Sequence, residues 1–184
     1  ALIGAGQSTS AIATGMFLEG SGTVTFSPGS GQTQTVDDVI GDEAGNGGAA
    51  GNQWALHKTG DGTLILGAEN SYTGGTTVDG GILQLGAGGN LAAAGALTVN
   101  AGLFDLNDNI QTVSSLSGTG GTIDLCSCLL IVDQSTDSSY AGTIISSDGP
   151  GIVVKDGSGK LTLSGNNTYS GGTELDGGTL STSA

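Results

Sequence analysis

The sequence predicts an all-β chain wound as a right-handed parallel β-helix of about 20 residues per coil. Three observations carry this. A seven-fold pulse recurs, in which a Gly is followed by an apolar residue two places on and usually by another two places later. It reads Gly62-Thr-Leu-Ile-Leu66, Gly81-Ile-Leu-Gln-Leu85, Gly102-Leu-Phe-Asp-Leu106, Gly121-Thr-Ile-Asp-Leu125, Gly142-Thr-Ile-Ile-Ser146, Gly159-Lys-Leu-Thr-Leu163 and Gly178-Thr-Leu-Ser-Thr182. The glycines follow one another at a near-even step, the shortest being that from Gly142 to Gly159. An eighth copy, Gly22-Thr-Val-Thr-Phe26, lies before Gly62 at a distance that reads as two such steps.

The second observation is compositional. Of 184 residues, 37 are Gly and only 4% are aromatic, so a globular core of large side chains is excluded in favour of a thin core of Leu, Ile, Val and Ala. The apolar residues are periodic and mean hydropathy is slightly positive, which argues against disorder. The third is a longer repeat. Residues 58–83 and 155–180, aligned without a gap at an offset of 97, share 14 of 26 positions. The matches include Lys58/Lys155, Asn70/Asn167, Tyr72/Tyr169 and Asp79/Asp176 besides glycines, which composition alone does not explain.

Glycine recurs too often for helix interiors. The only helix-tolerant stretch is Asn90-Leu-Ala-Ala-Ala-Gly95, at most a turn or two. The remainder reads as strands of three to five residues rich in Thr, Val, Ile and Leu, divided by Gly, Asn, Asp and Ser turns. A coil of about 20 residues holds three such strands and three corners, and coils stacked about 4.8 Å apart pair in parallel. The residues two and four places after each Gly then face inward. They form ladders, with Val24 and Phe26 at one end and Leu161 and Leu163 near the other. Gln84, Asp105, Asp124 and Thr162, between them, suit an outer face. About nine coils give a rod on the order of 45 Å long.

One domain is expected over residues 1–184. Residues 1–21 form an N-terminal coil or cap, a strand lies near residues 33–40, residues 37–53 are an acidic Gly-rich loop, and residues 54–184 are regular coils. Loops on rigid scaffolds carry specific function, so Asp37, Asp38, Asp42, Glu43 and the adjacent Trp54 are the candidate binding residues.

With 17 acidic residues, three lysines and no Arg, the net charge of -14 repels phosphate backbones and anionic lipid. Nucleic acid is therefore excluded as a partner. No window reaches the roughly 18 apolar residues of a membrane helix, so membrane insertion by this chain is not expected. The N-terminus, with no basic segment or long apolar run, does not read as an intact signal peptide; the chain reads as processed or as part of something larger.

No catalytic set, cofactor or metal is expected. Cys126 and Cys128 have no nearby Cys or His partner, His57 being the only His, so they make no metal site. If the pair lies in a strand, its Cα atoms are about 6.6 Å apart, at the long edge of disulfide geometry. A strained bridge or two small buried or half-buried residues both fit, and the second is preferred. Asp105 and Asp124 fall at equivalent positions on adjacent coils and are the best carboxylate pair for glycosidic chemistry. With no Arg and the lysines in other pulses, they read instead as solvated outward groups. Asp79-Gly-Gly81 and Asp176-Gly-Gly178 lack the nine-residue tandem of calcium-binding repeats. His57, and Tyr72 with Tyr169 at one coil position, read as packed residues.

The pattern K-x-G-x-G-x-L-x-L-x-x-x-N-x-Y-x-G-G-T-x-x-x-G-G-x-L, present at Lys58–Leu83 and Lys155–Leu180, resembles the autotransporter-associated β-strand repeat of secreted passenger domains of Gram-negative bacteria. The stretches 18–31 and 113–123 are similar to the connecting coils of such proteins. The resemblance implies a parallel β-helix displayed outside the cell or on its surface, with a structural or adhesive role and no enzymatic one. Its partners would be a host or matrix surface, or other copies of itself. End-to-end stacking into a fibre is the second expectation, and a carbohydrate-active enzyme the third.

Overall fold

The computed structural model describes residues 2–3 and 15–182. Twenty-one short strands, and no helix, make up the regular structure of these residues. Every strand pairing among them is parallel, and each regular strand meets its partner one coil further along the chain, as at Leu64↔Leu83 and Leu130↔Val153. Parallel pairing at a one-coil step, without helical crossovers, can only be a solenoid. It has about eight turns.

Three faces result. The first begins with Leu2–Ile3, Gly22–Phe26 and Trp54–Lys58, and continues through Thr76–Val78, Ala96–Val99 and Ser115–Ser117. A bridge from Gly118 to Tyr140 carries it on to Ser138–Tyr140, Lys160–Leu163 and Thr179–Thr182. The second face stacks Thr33–Val36, Thr63–Leu66, Ile82–Leu85, Leu103–Asp105, Thr122–Asp124 and Thr143–Ile145. The third holds Met16–Leu18 with Ile40–Asp42, and beyond them Gln111–Val113, Leu129–Asp133, Ile152–Asp156 and Thr173–Leu175.

The inward ladders follow the alternation that the pulses require. Leu64, Leu83, Phe104, Ile123 and Ile144 stack in register and are fully buried. Thr63, Ile65, Ile82 and Gln84, between them, are only half-buried. The middle of each coil is filled by residues such as Leu97, Leu116 and Val132, all fully buried.

Two details differ from the sequence expectation. The eight pulses do not form one ladder. Val24 and Phe26 pair with Leu56 and Lys58 on the first face, and Leu161 and Leu163 pair with Ser138 and Tyr140. The reason is chain length. The step from Gly142 to Gly159 is too short for a full circuit, so the chain reaches the next pulse one face early. The stretch from Gly22 to Gly62 is likewise not two coils. Val24 and its partner Leu56 are separated by a single coil, in which the third-face strand Ile40–Asp42 is followed by an inserted segment, residues 43–53, and this leaves fewer turns than expected. The insertion is a run of turns from Glu43 to Gly51, so the expected loop over residues 37–53 holds a strand in its first part. Residues 1–21, expected as a coil or cap, lie in large part outside the described residues.

Replacing fully buried Leu83 by Ala, between Leu64 and Phe104, is expected to cost about 2–5 kcal/mol in urea unfolding. Thr77→Ala on the outer side of the first face should change stability by no more than about 0.5 kcal/mol. Equal losses at the two positions would refute the inward and outward assignment.

Candidate functional site

The repeat motif and the acidic insertion concentrate the polar side chains, and most of them bond to backbone. At each Lys of the motif the ammonium closes a corner. Lys58 is fully buried, and its Nζ donates to the carbonyls of Thr59 at 2.7 Å, Gly60 at 2.9 Å and Gly80 at 2.9 Å. The first two belong to its own corner and the third to the next coil. Lys155 is also fully buried and donates to Asp156, to Gly157 at 2.9 Å and to Gly177 at 3.4 Å, the same three positions. Burial pushes the Lys58 ammonium below its ordinary range, with Asp61 acting in the opposite sense. The third motif carbonyl comes from the Asp-Gly-Gly corner, which explains its second glycine. A Cβ at Gly81, where φ is +59°, would lie 2.3 Å from the Gly62 oxygen and 2.7 Å from the lysine nitrogen.

The motif Asn and Tyr have equally specific uses. Asn70 accepts the Ile40 amide at 2.9 Å and donates to the Asn90 carbonyl at 2.7 Å, so one side chain joins three coils. Asn167 accepts the Ile144 amide at 2.8 Å in the same manner. Tyr72 lies in the interior, bonded to the Thr76 hydroxyl at 2.7 Å, and burial pushes its phenol well up. Tyr169 pairs with Thr173 in the same way but is only half-buried. Tyr72 is thus inside the coil, and Tyr169 packs in part against the core, so both are packed residues as expected. Because the second repeat starts one face round from the first, these bonds belong to the motif and not to a particular face.

The five candidate binding residues divide into two groups. Asp42, at the end of its strand, is fully buried. Its carboxylate accepts the amides of Gly45 at 2.7 Å, Trp54 at 2.8 Å and Thr73 at 2.7 Å, and the Thr73 hydroxyl at 3.0 Å. It thereby ties both ends of the insertion to the next coil. Burial raises its carboxyl, but these four donors outweigh that and leave it below the ordinary value of 3.8. Glu43 accepts the Gly20 amide at 2.9 Å and the Asn52 side chain. Trp54 donates its indole N–H to the Glu19 carbonyl at 3.1 Å, and its ring lies over Gly22, where a Cβ would come within 2.8 Å. These three residues build the insertion.

Asp37 and Asp38 are different. Asp37 is exposed and Asp38 half-buried, and neither carboxylate has a hydrogen-bond partner among the described residues. The next residue, Val39, lines a shallow hollow with Met16, Phe17, Gly41 and Asn46. Phe17 is 56% exposed and Val39 42%. Sequence reasoning missed these two residues. The signal was an isolated Phe at the middle of a three-residue strand, where alternation turns it outward once Met16 and Leu18 face in.

Other expectations are revised by the geometry. Asp105 and Asp124 do stand side by side in register. They are not both solvated, because Asp124 is buried and accepts the amides of Cys126 at 2.9 Å and Ser147 at 3.1 Å. Asp105 accepts Gln84 at 2.6 Å and the Asn107 amide at 2.8 Å. His57 is a half-exposed outward residue, not a packed one, with Nε2 2.6 Å from Asp79. Asp79 also accepts Asn100 at 2.9 Å, and Asn100 in turn accepts the Thr119 amide at 3.2 Å, so a polar ladder climbs four coils. Cys126 and Cys128 are free thiols in a turn rather than in a strand. Among the described residues no group of three or more His, Cys, Asp or Glu could hold a metal ion.

The corner bonds and the polar ladder can each be tested. Lys58→Met leaves three inward carbonyls without a donor and is expected to lower stability by about 2–4 kcal/mol in chemical denaturation. Lys160→Met, at an exposed position, should cost no more than about 0.5 kcal/mol. Equal effects would rule out the corner role. The ladder is tested with acid. Asp79 is held below the ordinary value of 3.8, first by Asn100, against burial, and then by His57. A carboxyl depressed in the folded chain adds stability that is full above its unfolded value and is lost as pH falls through its folded value. The stability difference between wild type and Asp79→Asn, measured by thermal unfolding, should therefore shrink as pH is taken from about 6 to below about 3.8. A difference that widens on acidification would contradict this.

The model of the Passenger-associated-transport-repeat matches residues 56–85 and 153–181, the two segments that carry the lysine-capped corners. The chain is also 40% identical over 134 residues to the "Adhesin BmaC autotransporter" of Brucella suis biovar 1 (strain 1330). That match takes in 68% of this chain and 4% of the adhesin, so the chain spans a small fraction of its relative's length. No solved structure matches. Two such repeats built into a parallel β-solenoid, together with this similarity, fit a β-helix of the autotransporter passenger type.

Proposed function

We propose that this chain is a rod-like adhesive module of a surface protein of a Gram-negative bacterium, and that it contacts its partner through the edge of the acidic insertion. One observation supports this reading above the others. The motif side chains and the acids Asp42 and Glu43 are committed to bonds within the solenoid, whereas Asp37 and Asp38, with carboxylates that have no partner among the described residues, run directly into exposed Val39, which shares a hollow with exposed Phe17. The similarity to an adhesin is in keeping with a binding role and not a catalytic one. Free carboxylates beside an exposed aromatic suit a basic segment with an apolar residue, of the kind found on host or matrix proteins. The lysine corners and asparagine bridges serve this role indirectly, by making the rod stiff enough to hold the contact away from its anchor.

The test is surface-plasmon binding of the chain to a panel of immobilised matrix proteins at low and high salt. Binding to a basic member of the panel is expected. It should weaken about tenfold or more in an Asp37→Asn/Asp38→Asn/Phe17→Ser triple variant that keeps the wild-type unfolding midpoint. It should also weaken as salt rises. Binding unaffected by the triple change would place the contact elsewhere. Release of products from polysaccharides by the wild-type chain would overturn the non-enzymatic reading. Filaments at high concentration, seen by light scattering, would favour end-to-end assembly over a monomeric rod.

A further inference from the structure

We propose that the corner formed by Leu125, Cys126, Ser127 and Cys128 is a thiol–disulfide site, in which oxidation joins Cys126 to Cys128 and locks one corner of the solenoid. The Cys128 amide donates to the Leu125 carbonyl at 2.9 Å, so these four residues make a tight turn. A strand would hold the two Cα atoms about 6.6 Å apart, at the limit for a disulfide. Turn dihedrals curl the chain, so residues two steps apart in a turn lie closer than in an extended strand, on the bonding side of that limit. The geometry that counted against a bridge in a strand is absent here.

Cys126 also occupies an uncommon backbone position. Its φ is +52°, the left-handed region, in the first central place of the turn, where glycine is usual. In the corner stacked beneath, the left-handed residues are Asn107 at +45° and Asp108 at +61°, types that tolerate that conformation. Cysteine has no such tolerance, so its place here calls for a use of the sulfur. Both sulfurs lie over that same lower corner. Cys126 Sγ is 3.3 Å from the Asp105 carboxylate and Cys128 Sγ is 3.0 Å from the Asp108 carbonyl.

The two thiols have unequal roles. Cys128 is half-buried and open to an incoming disulfide, whereas Cys126 is 5% exposed. Burial, with the carboxylates of Asp105 and Asp124 close by, pushes the Cys126 thiol up, against a bond from the Asp108 backbone. Cys128 as thiolate attacks one sulfur of a low-molecular-weight disulfide such as oxidised glutathione and expels one glutathione thiolate. Cys126, losing its proton, then attacks Cys128 Sγ and expels the second. One S–S bond forms in the chain and one breaks in the oxidant. Two electrons pass to glutathione, and the two thiol protons end on its two released thiolates.

The experiment equilibrates the full chain in a series of glutathione redox buffers, native and in guanidinium, and reads free thiols and intact mass after alkylation. The native chain should pass from two thiols to none as a monomer, about 2 Da lighter and without a glutathione adduct. It should do so at a buffer at least about tenfold more reducing than the unfolded chain requires, because the turn pre-positions the pair. Cys126→Ser and Cys128→Ser should each give a glutathione adduct or a linked dimer instead. Two thiols that persist in the most oxidising buffer, adducts or dimers in place of the internal bond, or easier oxidation when unfolded would each overturn the proposal.

Discussion

Coils stacked at strand spacing bring backbone against backbone, and the corners are where this stacking is hardest to satisfy. Strand residues pair their N–H and C=O groups with the coils above and below. The corner carbonyls of Thr59, Gly60 and Gly80 accept no backbone amide among the described residues, and a buried carbonyl without a donor costs as much as a lost hydrogen bond. The two buried ammonium groups meet this need directly. Each supplies three donors to three carbonyls drawn from two successive coils. A charge removed from water is costly unless it is fully bonded, so the lysine and its corner depend on each other. The second glycine of Asp-Gly-Gly follows from that bond, because any side chain there would strike the carbonyl and the ammonium together.

The same logic extends to side chains that imitate backbone. Asn70 and Asn167 accept amides from the coil before them where no strand continues. Gln111 takes both the amide and the carbonyl of Leu91, at 2.7 Å and 3.1 Å, and so closes the edge of the strand Gln111–Val113 against a coil that has no strand there. Asp42 holds two loop ends and the next coil with one carboxylate. Polar residues in this chain act largely as substitutes for missing ladder partners. That is how a thin core with few aromatics can support an elongated fold, and it leaves the outer faces free to vary.

Much of the winding was legible in the pulses, since alternate burial depends only on residue spacing. Leu83 and Phe104 point inward because they lie two places after a Gly, and the structure agrees. The recurrence of Lys, Asn and Tyr was visible as well, but the partners of Lys and Asn are carbonyls and amides, which every residue possesses, so no sequence pattern marks them; only the Tyr partner, the Thr four places on, recurs as a residue type. The shift of one face at Gly159 left a trace in the short step from Gly142, readable only once the circuit length is known. For the candidate site, the acids were seen but not sorted. Nothing in the letters distinguishes Asp42, locked by four donors, from Asp37, which has none among the described residues. The Cys126 turn went unread because Leu125-Cys-Ser-Cys128 carries no glycine, the usual sign of a left-handed corner.

The most direct test of this account is nitrogen-detected NMR of the lysine side chains. Lys58 and Lys155 should show ammonium protons that exchange slowly with water and couple to backbone carbonyls, and Lys58 should titrate below the ordinary lysine range. The exposed Lys160 ammonium should exchange fast. Equally fast exchange at all three lysines, or a Lys58 titration that is not lowered, would contradict the corner bonds, and with them the stacking that this fold requires.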